Sequence, residues 1–190
     1  MRNGVSVRLN TPGGDHDLPA GAPAPPGPIR PLGFTARGAA TVTDEGLAAL
    51  AGCSHVRGID MQGAKAGTAG LAHLRGLASL EFLAIVPNFD DAGVAVFDNC
   101  ANLRTFWAGG TKVTDAGIAR LRGRAQLRVV RVSDTELSDA GLAHLKECPA
   151  LDYLFIRNTK VTRDGVEDFA RAKPKCKIEW SGGIIEPRKE

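Results

Sequence analysis

Four cysteines, four histidines and a recurrent aspartate are the residues of this 190-residue chain whose types could do chemistry. A disulfide would need two of Cys53, Cys100, Cys148 and Cys176 to meet, and tetrahedral zinc would need Cys or His donors at ligand spacing. Cys53, Cys100 and Cys148 each follow a recurring glycine, Gly46, Gly93 or Gly141, by seven residues, so they form one column. Strands stack about 4.8 Å apart and successive members are two repeats apart, which separates them by roughly 10 Å, beyond the roughly 7 Å limit for a disulfide. They are expected to be small buried hydrophobes. Cys176 stands outside the column, and a Cys148 to Cys176 bridge is the alternative left open. His73 and His144 share a position three residues after Gly70 and Gly141 that is expected to face solvent on a helix. Asp15, His16 and Asp17 are adjacent in a loose stretch, where convergence on one ion is not expected. There is no G-x-S-x-G, no P-loop and no dinucleotide fingerprint. The expectation is a non-enzyme with no catalytic residues, no cofactor and no metal site.

What must position these residues is a repeat. Thr111-Lys-Val-Thr-Asp-Ala-Gly-Ile-Ala-Arg-Leu121 returns as Thr135-Glu-Leu-Ser-Asp-Ala-Gly-Leu-Ala-His-Leu145, and its opening returns again from Thr159 to Gly165. The anchor glycines Gly46, Gly70, Gly93, Gly117, Gly141 and Gly165 are spaced by 24, 23, 24, 24 and 24 residues, which marks six units. Fixed self-similarity at this period means stacked supersecondary units.

Within a unit, apolar residues separated by one, such as Val130 and Val132, have the period of a strand and point inward. Asn88, Thr111, Thr135 and Thr159 then occupy a slot suited to hydrogen-bonding backbone as the strand turns away. Thr43, Thr114, Ser138 and Thr162 stand where a helix N-cap belongs, followed in three cases by Asp44, Asp115 and Asp139, acids that suit the positive end of a helix. The helix that follows turns a pair inward: Leu47/Leu50, Leu71/Leu74, Val94/Phe97, Ile118/Leu121, Leu142/Leu145 or Val166/Phe169. The anchor glycine reads as room for close backbone packing.

The V-T-D-x-G-[LI]-x-x-L phrase followed by L-x-x-L-x-L resembles bacterial leucine-rich-repeat proteins of the cysteine-containing, ribonuclease-inhibitor-like type, from about Thr41 to Trp180. The resemblance implies an α/β right-handed solenoid, with a parallel sheet on the concave face and short helices on the convex face. It implies a recognition surface and no particular ligand. No F-box precedes the repeats, so a ubiquitin-ligase role is not carried over.

Composition fits one soluble domain: 43% apolar, 24% charged and only 5% aromatic, so the core is built from small aliphatic residues. Residues 1–33, rich in Pro and Gly, are expected to be a flexible or extended tail, 34–180 the repeat domain and 181–190 a polar C-terminal tail. Leu32 to Val42 reads as a degenerate first repeat whose register slips to bring Phe34 and Ala36 inward. Trp180 is expected to cover the open end of the core. The start of the chain lacks the apolar segment of a signal peptide and no run of 18 apolar residues exists, so a cytoplasmic protein without membrane contact is expected.

Two surfaces then compete for a partner. The outward positions of the six strands read Gly58, Phe82, Thr105, Val129, Tyr153, Lys177 and Asp60, Ala84, Trp107, Arg131, Phe155, Glu179. Phe82, Trp107, Arg131, Tyr153, Phe155 and Arg157 are therefore the expected partner-binding residues, because exposed aromatic and Arg clusters make interface hot spots. The alternatives are that these aromatics only stiffen the sheet or that the Pro-rich segment lies over them. The rival surface is the ridge of Arg120, Arg122, Arg124 and Arg128, suited to an acidic partner or to phosphates. With a net charge of only +3 and no reading module, nucleic acid is not the expected partner. The reading is a protein-protein interaction module, a monomer or weak homo-oligomer; the rival is a regulatory or targeting subunit of an enzyme.

Overall fold

The computed structural model describes residues 6–11, 14–19, 30–35, 44–48, 51, 55–62, 67–85 and 88–188. Ten described strands form one sheet: β1 (Ser6–Thr11), β2 (Gly14–Pro19), β3 (Arg30–Thr35), β4 (Gly58–Asp60), β5 (Phe82–Ala84), β6 (Thr105–Trp107), β7 (Val129–Arg131), β8 (Tyr153–Ile156), β9 (Lys177–Trp180) and β10 (Gly183–Ile185). Their order is β10-β9-β8-β7-β6-β5-β4-β3-β1-β2, parallel from β3 through β9. Helices fill the crossovers: α1 (Asp44–Ala48), α2 (Thr68–Leu71), α3 (Asp91–Ala95), α4 (Asp115–Ala119), α5 (Asp139–Leu145) and α6 (Arg163–Ala172).

The core lies between strands and helices. Ile59, Leu83, Phe106, Val130, Leu154 and Ile178 stand on successive rungs, and all are buried. The helix pairs Leu71/Leu74, Val94/Phe97, Ile118/Leu121, Leu142/Leu145 and Val166/Phe169 close over them, as does Leu47; Leu50 lies outside the described residues. At roughly 1.5–3 kcal/mol for each large apolar side chain, this layer is the main source of stability.

Polar side chains bind one repeat to the next. Asp91 Oδ1 and Oδ2 accept from the N–H and hydroxyl of Thr114, at 2.8 and 2.6 Å. Asp115 does the same for Ser138 at 2.8 and 2.5 Å, and Asp139 for Thr162 at 2.9 and 2.7 Å. Asp44 Oδ1 accepts from Gly67 N at 2.7 Å. Thr114, Ser138 and Thr162 in turn cap their own helices by accepting from Ala116, Ala140 and Gly165 N–H. The aspartate thus reaches across to the next repeat rather than serving only its own helix.

This ladder also explains the anchor glycine. A Cβ on Gly70, Gly117, Gly141 or Gly165 would come under 3.0 Å from the carboxylate of Asp44, Asp91, Asp115 or Asp139 of the preceding unit. Thr68 occupies the aspartate position of the second unit, and in the third unit the space at Gly93 is taken by the Phe89 ring instead. There the N-cap supplies its own carboxylate, Asp90 accepting from Gly93 N at 3.0 Å. Arg163 replaces the acid in the sixth unit, where the ladder ends.

The polar slot behaves as its residue types require. Thr111, Thr135 and Thr159 donate to the carbonyls of Ala108, Val132 and Ile156 three residues earlier, at 2.7, 2.7 and 2.9 Å. Each is preceded by a left-handed residue, Gly110, Asp134 or Asn158, with φ of 68°, 58° and 52°. Only Gly, Asn and Asp enter that region readily.

Two expectations about the ends are corrected. Parts of the 1–33 span are strands rather than flexible tail: Val7 and Leu9 alternate with polar residues, and β1 pairs antiparallel with both β2 and β3. β3 joins β4 in parallel with Phe34 and Ile59 sharing a rung, which is the slipped register. At the other end the chain turns back at Gly182 and Gly183, and β10 pairs antiparallel with β9, so Gly183–Ile185 does not leave the sheet. Trp180 is half-buried and packs against the core with Ile185.

Candidate functional site: the outward face of the sheet

The rungs align the outward residues in the two expected columns, one running from Gly58 to Lys177 and the other from Asp60 to Glu179. Phe82 meets Trp107 edge to face, with ring centroids 5.2 Å apart and planes at 74°. Arg131 lies over two rings at once, its guanidinium carbon 5.8 Å from the Trp107 centroid and 5.8 Å from that of Phe155. The sequence of contacts Phe82, Trp107, Arg131, Phe155 therefore crosses four neighbouring strands. Tyr153 is 47% exposed on the strand that carries Phe155. Phe82, Trp107 and Phe155 are half-buried, whereas Arg131 and Arg157 are exposed. Arg157 reaches Glu179 at 3.4 Å.

Part of the column is not accessible. Asp60 and Ala84 stand in outward register yet are buried, so the open platform starts at Trp107. Trp107 Nε1 is itself buried and has no hydrogen-bond acceptor among the described residues.

The arginine ridge is occupied from within. Arg120 pairs with Asp98 at 2.7 Å, Arg122 with Glu147 at 2.7 Å and Arg128 with Asp152 at 2.6 Å. Arg124 does not belong to the exposed ridge. It follows Gly117 by seven residues, the spacing of the cysteine column, and it is half-buried. Its Nη1 donates to Cys100 O at 2.5 Å and its Nη2 to Phe97 O and Asp98 O at 2.9 and 3.3 Å. Burial holds its pKa below the usual arginine value.

Cys100, Cys148 and Cys176 are free and buried, while Cys53 lies outside the described residues. Cys100 Sγ donates to Leu77 O at 3.3 Å and Cys148 Sγ to Leu121 O at 3.1 Å. Burial pushes the thiol of Cys100 up to about 11 and that of Cys176 up to about 12, and raises Cys148 as well. These thiols are protonated at neutral pH and are poor nucleophiles. A thiol whose pKa rises on folding stabilises the fold fully below its unfolded value near 9, and that contribution is lost as pH rises through about 11 and 12. Thiol titration with Ellman's reagent is expected to be slow in the native protein near pH 7 and to reach four thiols per chain in denaturant without reductant. A count of two would mean that a disulfide forms.

His73 is exposed and His144 half-buried. Asp15, His16 and Asp17 lie in β2. Among the described residues no three His, Cys, Asp or Glu side chains converge to hold a metal ion. No described helix is long and apolar enough to cross a membrane.

No family model and no curated protein matches the chain. Among solved structures it is similar to internalin C2 from Listeria monocytogenes, with a TM-score of 0.50 and 12% identity over 78% of this chain and 80% of that one. The fold is a leucine-rich-repeat solenoid. At that identity the likeness concerns fold alone, and the site rests on its own geometry.

Proposed function

We propose that this leucine-rich-repeat protein is a non-catalytic module that binds a protein partner on the outward face of its sheet. The observation that carries the reading is the Trp107, Arg131, Phe155 sandwich, an apolar platform around an accessible cation. Phe82 and Tyr153 extend it on either side and Arg157 borders it. Aromatic residues and Arg at the centre of a face are the usual anchors of an interface. The ridge is the weaker candidate, because Arg120, Arg122 and Arg128 already hold carboxylates and Arg124 is committed to backbone carbonyls. A regulatory or targeting subunit of an enzyme would use the same face. The bacterial, cysteine-containing, ribonuclease-inhibitor-like character and the cytoplasmic location belong to this reading and follow from the repeat phrase and the apolar pattern.

The test is partner capture with wild type, Trp107→Ala/Phe155→Ala and Arg122→Glu. A partner of the sheet face is expected to survive Arg122→Glu and to be lost from the aromatic double variant. Trp107→Ala alone is expected to weaken its affinity by about 2 kcal/mol, roughly 30-fold, with a shallow salt dependence. Retention by the double variant, together with a steep salt slope, would transfer the function to the basic surface.

A further inference from the structure

We infer that the partner brings a carboxylate to Arg131, so that the ligand class of this face is an acidic peptide segment with an Asp or Glu set between apolar residues. The inference rests on the sheet face being the binding surface and adds the chemistry of its occupant.

Among the described residues, the other exposed arginines along β4 to β9 and on the ridge lie close to carboxylates of this chain. Arg57 and Arg104 lie within ion-pair distance of Glu81, at 3.7 and 3.8 Å, and Arg157 pairs with Glu179. The exposed ridge arginines hold Asp98, Glu147 and Asp152. Arg131 is the exception on the sheet and ridge: it is exposed, and among the described residues it has no carboxylate partner. The register explains why. Its neighbours in the column are Trp107 on one rung and Phe155 on the other, and the adjacent outward column offers Thr105, Val129 and Tyr153. The acids of its own column are farther off: Glu179, two rungs away, is engaged by Arg157, and Asp60 is buried.

Two flanking rings also prepare the guanidinium for one kind of ligand. Ring contact satisfies its flat faces and restrains its rotamers, while its N–H edge has no acceptor among the described residues. A planar carboxylate accepts two parallel N–H bonds from such an edge, and apolar residues beside the acid would cover Trp107, Phe155 and Tyr153.

Selection of a random linear peptide library on immobilised wild-type protein is expected to enrich sequences holding one Asp or Glu flanked by apolar residues. For an enriched peptide, amidating the acid (Asp to Asn or Glu to Gln) and making Arg131→Gln are each expected to weaken binding about tenfold or more, and together no further than either alone. Arg131→Lys is expected to restore binding only in part, since an ammonium lacks the fork. Arg131→Gln removes an exposed side chain and is expected to leave the melting temperature unchanged. Enriched peptides without a carboxylate, or two substitutions whose effects multiply, overturn the carboxylate inference and leave the sheet-face reading standing. Peptides that bind Trp107→Ala/Phe155→Ala as tightly as wild type, or the absence of enrichment, overturn both.

Discussion

Gly165→Ala is expected to destabilise the domain by about 2–3 kcal/mol, and the same change in an Asp139→Ala background is expected to be neutral or stabilising. A Cβ at 165 would come under 3.0 Å from Oδ1, Cγ and Oδ2 of Asp139, with no other group as close. The carboxylate cannot step aside cheaply, because Thr162 N and Oγ1 hold it at 2.9 and 2.7 Å. Overpacking of this kind costs on the order of 1–3 kcal/mol, and moving the acid would also forfeit its hydrogen bonds at about 1 kcal/mol each. Once the acid is gone, the obstacle is gone too, and alanine in a helical turn is better than glycine by roughly 0.5–1 kcal/mol. Urea unfolding of the four proteins, followed by circular dichroism, closes the cycle. A coupling of about 3 kcal/mol is expected; additive effects would mean that the glycine column answers to something other than the aspartate of the preceding repeat.

The same pair of residues shows what a sequence of repeats reveals and what it conceals. Columns are legible because identical positions in successive units must occupy identical places, so the inward helix pairs and the outward residues Trp107, Arg131 and Phe155 follow from spacing alone. Contacts between units are harder to read. Asp115 has the position of a helix-capping acid, and nothing within its own repeat says that it reaches Ser138, 23 residues on. The recurrence of Gly two positions after each Asp was the available signal, because a residue that tolerates no Cβ implies a fixed group beside it. The left-handed column Gly110, Asp134, Asn158 was equally readable from residue types. By contrast, the burial of Asp60 and Ala84 was not legible, because strand periodicity gives the side of the sheet a residue stands on and not how far it is covered there. The strands of the first 35 residues were obscured because Pro and Gly dominate the composition there, while β1 carries the strand alternation only in Val7 and Leu9.

Arg124→Ala is expected to cost about 2–3 kcal/mol, several times the effect of Arg122→Ala two residues away. Both side chains would be counted in one basic ridge, but their surroundings decide the outcome. Arg122 makes a single exposed ion pair with Glu147, of the kind worth at most about 1 kcal/mol. Arg124 is half-buried and donates to Cys100 O, Phe97 O and Asp98 O, carbonyls at the end of the preceding unit's helix and turn. Without it those carbonyls lose their charged donor, and bonds to charged groups are worth on the order of 1.5–3 kcal/mol. The column makes the role intelligible. At this position Leu77, Cys100 and Cys148 bury apolar or weakly polar groups, whereas the fourth unit lays an arginine stem and turns its head onto the neighbouring backbone. Lys173 repeats the device one residue further along, donating to Cys148 O. Arg124→Lys is expected to recover less than half of the loss, since one ammonium cannot span three separated carbonyls as the fork does. The unfolding free energies of Arg122→Ala, Arg124→Ala and Arg124→Lys decide the matter: equal, small effects for all three would return Arg124 to the solvated ridge.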